Sequence, residues 1–101
     1  MTARGAAATA LSARQFDQVA KALADPRRVA LLEAISSTRE FPCQKLCKDF
    51  PVSKGTISHH MKELIRAGLV RARRDGQYKL YEVVRETVEA YAAELNRRLG
   101  A

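Results

Sequence analysis

No stretch of this 101-residue chain approaches the roughly 20 consecutive apolar residues that a membrane-spanning helix needs. The N-terminal stretch from Met1 to Ala10 is alanine-rich and carries one arginine, and it lacks the long apolar core of a secretory signal. The cytoplasm is therefore the expected location, with no membrane partner. Cysteine is scarce: Cys43 and Cys47 are the two present, too few for a disulfide framework in a reducing compartment. The glycines form no phosphate-binding loop. The two histidines, His59 and His60, are adjacent, and neighbours on a helix point about 100° apart. They cannot clamp one ion as an i, i+4 pair does, so no metal is expected there. Neither cysteine sits in a recognisable His-partnered catalytic motif, and an enzyme is not expected. There is no internal repeat.

What the chain does have is positive charge. Eighteen Lys and Arg against eleven Asp and Glu leave a formal net charge of +7. Such an excess on a small protein suits a polyanionic partner, nucleic acid or an anionic membrane surface; the plain alternative is a soluble protein that is merely basic. A hydrophobic share of 47% with 29% charged residues is an ordinary globular balance, and the length fits one domain. A domain this small buries a modest share of its surface, so pairing with a second copy would help it.

The apolar spacing predicts a mainly α fold with one β-hairpin. Phe16, Val19, Ala20 and Leu23 recur at i, i+3, i+4, i+7 and predict a helix over 13–23, after a loose tail over 1–12. Asp25-Pro26 reads as a cap and first turn of a second helix reaching Ser36, with Val29, Leu32 and Ile35 as its stripe and Leu31 beside it. Pro42 opens a third, short helix to about Asp49, where Cys43, Leu46, Cys47 and Phe50 share a face. Ser53 caps a fourth from Lys54 to about Ala67, with Ile57, Met61, Leu64 and Ile65 turned inward and Gly68 as its left-handed terminator. Asp75-Gly76 between two β-prone runs, 69–74 and 77–83, predicts a hairpin with both turn residues at positive φ. A last helix from Glu86 to about Leu99 presents Val88, Tyr91, Ala92 and Leu95. Helix, helix, helix, helix, hairpin, helix is the order of a winged helix-turn-helix, assigned to residues 13–101.

On the fourth helix the outer face carries Gly55, His59, Lys62 and Arg66, flanked by Lys54, Thr56 and Ser58. Small polar side chains and one glycine let a helix sink into a major groove, where hydroxyl, imidazole and ammonium groups reach phosphates and base edges. Recognition helices read mainly with their N-terminal residues. The candidate DNA-binding residues are therefore Ser53, Lys54, Thr56, Ser58, His59 and Lys62. A solvated helix face is the competing reading. The hairpin tips the balance: Arg71, Arg73, Arg74 and Lys79 crowd near its tip, and Arg73, Arg74 and Gln77 join the candidates, placed to follow the backbone or enter a minor groove. Arg71 and Lys79 read equally well as a basic edge that resists aggregation. His60 lies nearer the buried flank, where it braces the helix.

Together, Lys21-Ala22-Leu23-Ala24-Asp25-Pro26-Arg27-Arg28, Val52 through Leu64 (VSKGTISHHMKEL), Ala67-Gly68-Leu69-Val70 and Arg73-Arg74-Asp75-Gly76 resemble the ArsR/SmtB family of transcriptional regulators. The resemblance runs from about Phe16 to the C-terminus. It implies a homodimer paired through the first and last helices, repression of a nearby operon from an imperfect inverted repeat, and release by ligand or oxidation. Lys54 stands where the family often has glutamine. The family's arsenic sensors carry C-x-C-x-x-C on the third helix. Cys47 matches the last of these, whereas Cys43 falls between the first two, so the trithiolate is not reproduced. The zinc site of the last helix uses Asp and His, and neither occurs from Val84 onward.

The cysteines keep three readings. As part of an apolar stripe they are core packing. Four residues apart on one helical face, they could bind a soft metal or metalloid with ligands from elsewhere. Cys43, in the first turn of its helix, could also serve thiol or redox sensing. For the whole chain, a dimeric reader of duplex DNA leads. The alternative is a winged-helix module that binds a protein or RNA without operator specificity. The deep groove of A-form RNA would not admit the fourth helix.

Overall fold

The computed structural model describes residues 10–100. Most of the segment assigned to a tail, including Arg4, lies outside the described residues. Its last member, Ser12, is already part of the fold: it caps α1 (Ala13–Leu23) by accepting the Gln15 N–H at 3.1 Å. The chain continues through α2 (Pro26–Ser36), β1 (Phe41–Pro42), α3 (Cys43–Asp49), α4 (Lys54–Arg66), β2 (Val70–Asp75), β3 (Tyr78–Val83) and α5 (Arg85–Arg98). Asp25 caps α2 as its sequence implies, accepting from the Arg27 N–H at 2.9 Å with Pro26 in the first turn. Among the described residues no helix is long and apolar enough to cross a membrane.

Helices and sheet close over one core. Val19, Leu31, Ile35, Leu46, Ile57, Met61, Leu64 and Leu69 are almost completely buried, each such side chain contributing about 1.5–3 kcal/mol. Cys43, Cys47 and Phe50 pack against that core from α3, around the buried Leu46.

Five details depart from the sequence reading. The sheet has three antiparallel strands in the order β1-β3-β2, because Phe41-Pro42 pairs with Tyr81 and Leu80 before α3 begins. A two-residue strand leaves no periodicity to detect. The hairpin turn sits one residue later than expected: Asp75 pairs with Tyr78, so Gly76 and Gln77 form the loop. Only Gly76 of these has positive φ (63°), which is the pattern of a type II′ turn and relieves Asp75 of a left-handed conformation. On α4, Ile65, assigned to the inward face, is 38% exposed, whereas His60 is buried. On α2, Leu31 and Ile35 turn inward, while Val29 and Leu32 line a surface groove. On α5 the buried residues are Thr87 and Ala90, so most of the apolar stripe faces outward: Val88 is 44% exposed and Leu95 38%.

Candidate nucleic-acid interface

Two capping devices fix α4. At its start the Ser53 hydroxyl accepts the Thr56 N–H at 3.1 Å and meets the Thr56 hydroxyl at 2.9 Å. At its end Gly68, with φ 83°, lets its own N–H reach the Ile65 carbonyl (2.9 Å) and the Leu69 N–H reach the Leu64 carbonyl (3.0 Å). This is the paired bonding of a Schellman cap, and it leads directly into β2. With Ile57, His60, Met61 and Leu64 buried, the opposite face presents Lys54, Gly55, Ser58, His59 and Lys62 to solvent, with Thr56 half-buried beside them. Apart from its chain neighbours and its own helix backbone, the nearest described atom to a Cβ built on Gly55 is the Ser53 hydroxyl at 4.0 Å, so this flank is open to a close-approaching surface.

His60 anchors the helix from within. Its Nδ1 lies 3.4 Å from Arg28 Nη1, and the same guanidinium donates to the carbonyls of Ala22 (2.8 Å) and Lys21 (3.1 Å) and sits 3.8 Å from Asp25. One arginine thus ties the end of α1, the cap of α2 and the middle of α4 together. A donating Arg28 requires Nδ1 to accept, which puts the imidazole proton on Nε2, a buried nitrogen with no partner among the described residues. Burial pushes the His60 pKa below its ordinary value, against a raising influence from Asp25 and with further lowering from Arg28.

The wing sorts its basic residues by face. Strand pairing sets Arg74 opposite Lys79 and Ala72 opposite Tyr81, and Tyr81 is buried, so Arg74 and Lys79 extend the core-facing side. Lys79 shares a shallow cavity with Ser58, Met61, Lys62 and Ile65, where wing meets α4. Arg73, opposite Leu80, belongs to the other side. Its guanidinium grips Glu40 through two bonds, 2.7 and 2.6 Å, and these hold the Glu40 carboxyl below its usual range. Arg71 likewise meets Glu82 at 3.4 Å. Gln77 stands exposed at the tip. Seven sequence candidates, Ser53, Lys54, Thr56, Ser58, His59, Lys62 and Arg74, thus share one side of the molecule, Gln77 marks its edge, and Arg73 is set apart. Sequence reasoning missed Glu40 and Arg28, and passed over Lys79 as a candidate; the strand register supplies the signal for Lys79.

The thiols line a cavity of about 300 Å³ together with Pro42, Gln44, Lys54, Gln77, Tyr78 and Lys79. The Tyr81 hydroxyl donates to Cys43 Sγ at 3.7 Å. Burial, followed by the neighbouring Cys43, pushes the Cys47 pKa up, favouring the neutral thiol. Among the described residues no third His, Cys, Asp or Glu joins the pair as a metal-ligand group.

Comparison with known proteins places this geometry. Residues 23–73 match a helix-turn-helix domain family. The arsenical resistance operon repressor of Staphylococcus xylosus is 32% identical over 78% of this chain and 75% of its own. A crystal structure of an ArsR family transcriptional regulator superposes with a TM-score of 0.77 at 25% identity, over 90% of this chain and 93% of that one. The solution structure of a homodimeric winged helix-turn-helix DNA-binding domain from Mycobacterium bovis, described as a possible ArsR-family regulator, gives a TM-score of 0.70 at 26% identity, over 81% and 76% of the two chains.

Proposed function

This chain belongs to the ArsR family of DNA-binding winged helix-turn-helix transcriptional regulators, and on that premise we propose that it is a repressor that binds an inverted-repeat DNA operator as a homodimer. The observation that carries the reading is the shared side formed by α4 and the wing, where Lys54, Ser58, His59, Lys62, Arg74 and Lys79 are all exposed. Each protomer seats α4 in the major groove of one half-site, the two centres lying about 10 base pairs, or a multiple, apart. Relatives named as repressors support the direction of regulation. The homodimeric relative supports the assembly, as do the outward apolar residues of α5 and Leu99 at its C-cap, 74% exposed.

The test is fluorescence anisotropy of the reduced protein on duplex DNA from its own upstream region, against a scrambled duplex, over a salt series. Selective binding in the range of about 1–50 nM supports the reading. Equal, weak binding to that duplex, to the scrambled one and to duplexes recovered by selection from a random pool sinks it and promotes the protein- or RNA-binding module.

A second reading concerns release. The cavity shared by Cys43, Cys47, Lys54 and Gln77 supports a thiol-based inducer site adjoining the DNA face. Cys43→Ser and Cys47→Ser should keep DNA affinity and lose oxidant-driven release. An oxidant response identical in both variants and the parent removes the thiols from the mechanism.

A further inference from the structure

We propose that Glu40 is a positioning residue for DNA binding: through its two-bonded pair with Arg73 it braces the wing at a fixed angle to α4, and Arg73 serves as the strut instead of touching DNA. The proposal rests on the DNA-binding reading above.

The sheet topology makes the brace necessary. β2 is an edge strand, paired with a neighbouring strand, β3, on one side only, and β1 supports β3 over just two residues, Phe41 and Pro42. Beyond that short support the hairpin tip, 74–79, has no strand pairing among the described residues except its own ladder. Pro42 pairs with Leu80, and Leu80 pairs with Arg73, so these three lie in one row across the sheet. Strand alternation puts Glu40, two residues before Pro42, on the same face. The Glu40–Arg73 pair therefore spans the middle strand and ties the free edge to the chain that enters β1. A guanidinium matched to both carboxylate oxygens fixes an angle as well as a distance.

Charge gives the second argument. An arginine neutralised by Glu40 on the face opposite Arg74 and Lys79 offers little to a phosphate, whereas Arg74 has no carboxylate within 4 Å among the described residues. Freed of Glu40, an arginine that did contact DNA would bind it better, so the sign of the Glu40 effect separates the two roles.

The experiment measures anisotropy on the same duplex over a salt series for Glu40→Gln, Arg73→Gln, Arg73→Glu, Arg74→Gln and the reversed pair Glu40→Arg with Arg73→Glu, at a temperature where each variant is shown to be folded. Arg74→Gln should lower the steepness of log K against log salt by about 0.9 for each phosphate it no longer neutralises. Glu40→Gln and Arg73→Gln should each weaken binding several-fold, on the order of 3–10-fold, with the salt slope unchanged. The reversed pair should recover most of the affinity lost by Arg73→Glu alone. Tighter binding by Glu40→Gln, a reduced slope for Arg73→Gln, or failure of the reversed pair to recover overturns the brace. If all of these variants, Arg74→Gln included, bind as the parent does, the DNA-facing assignment of the wing fails. Amide hydrogen exchange of residues 71–74 without DNA then reads the brace by itself: faster exchange in Glu40→Gln supports it, and unchanged exchange overturns it.

Discussion

Gly68→Ala tests whether the end of α4 is set by backbone conformation. Gly68 has φ 83°, and an L-residue held in that left-handed region costs about 1–2 kcal/mol. The new Cβ would also stand 2.8 Å from Gln15 Nε2, which now donates to the Ala67 carbonyl at 3.4 Å. That amide is the end of a flexible side chain and can withdraw, so the steric share is the loss of one long hydrogen bond, about 0.5 kcal/mol. Loss of chain entropy in the unfolded state offsets part of this, by about 0.4–1 kcal/mol. A net destabilisation of about 0.5–2 kcal/mol remains, which lowers Tm by about 2–16 °C for a domain of this size. Far-UV circular dichroism melts at one fixed protein concentration provide the measurement, because mass action moves the Tm of a dimer. Adding Gln15→Ala removes the clash and leaves the conformational cost, so the double variant should stay well below Gln15→Ala alone. A Tm no lower than the parent's, or a double variant that melts with Gln15→Ala alone, would show that the left-handed residue does not set the helix end.

Acid should loosen α4 through His60. Its folded pKa is depressed by burial, so its contribution is complete above the ordinary imidazole value and is lost as pH falls below about 6.5, with a slope of at most about 1.4 kcal/mol per unit. Melts between pH 7 and 5 should show this fall in the parent and not in His60→Gln; equal slopes would assign it to another group. Ser53→Ala removes the α4 cap and should cost about 1 kcal/mol, whereas Ser58→Ala should weaken DNA binding with Tm unchanged. The reverse pattern in paired melts and anisotropy would exchange the two roles. Leu95→Asp together with Leu99→Asp should convert the proposed dimer to the 11.2 kDa monomer in light scattering, and an intact dimer would move the interface off the α5 end.

The helices were legible because their signals are local. Asp25-Pro26, Ser53 and Ala67-Gly68 mark helix ends by chemistry that acts within four residues, and each acts there as expected. What escaped depends on contacts distant in sequence. β1 exists because Phe41 pairs with Tyr81, forty residues on, and nothing in the local pattern announces it. His60 is accommodated in the interior with Arg28, thirty-two residues earlier, as a partner for its imidazole, and a hydropathy pattern does not announce a buried histidine. The outward stripe of α5 is a different case. The sequence shows that it is apolar, but only the folded protomer shows that its own core leaves it uncovered.

Ion pairs, local and distant alike, decide how much of the charge is available to DNA. Composition spreads the excess over the whole chain, and ion pairing then withdraws part of it. Arg27 and Arg28 meet Asp25, Arg66 meets Glu63, Arg71 meets Glu82, Arg73 meets Glu40, and Arg97 and Arg98 share Glu94, whose carboxyl is drawn down to about 2. Lys54, Lys62, Arg74 and Lys79, on the α4 and wing side, have no such partner among the described residues. If these cations of both protomers each neutralise one phosphate, log K should fall with log salt at a slope of about −7. A slope beyond about −9 would mean that Arg71 and Arg73 leave their carboxylates on binding. One shallower than about −3 would mean that most of these side chains never reach the backbone, and that the basic face serves a different partner.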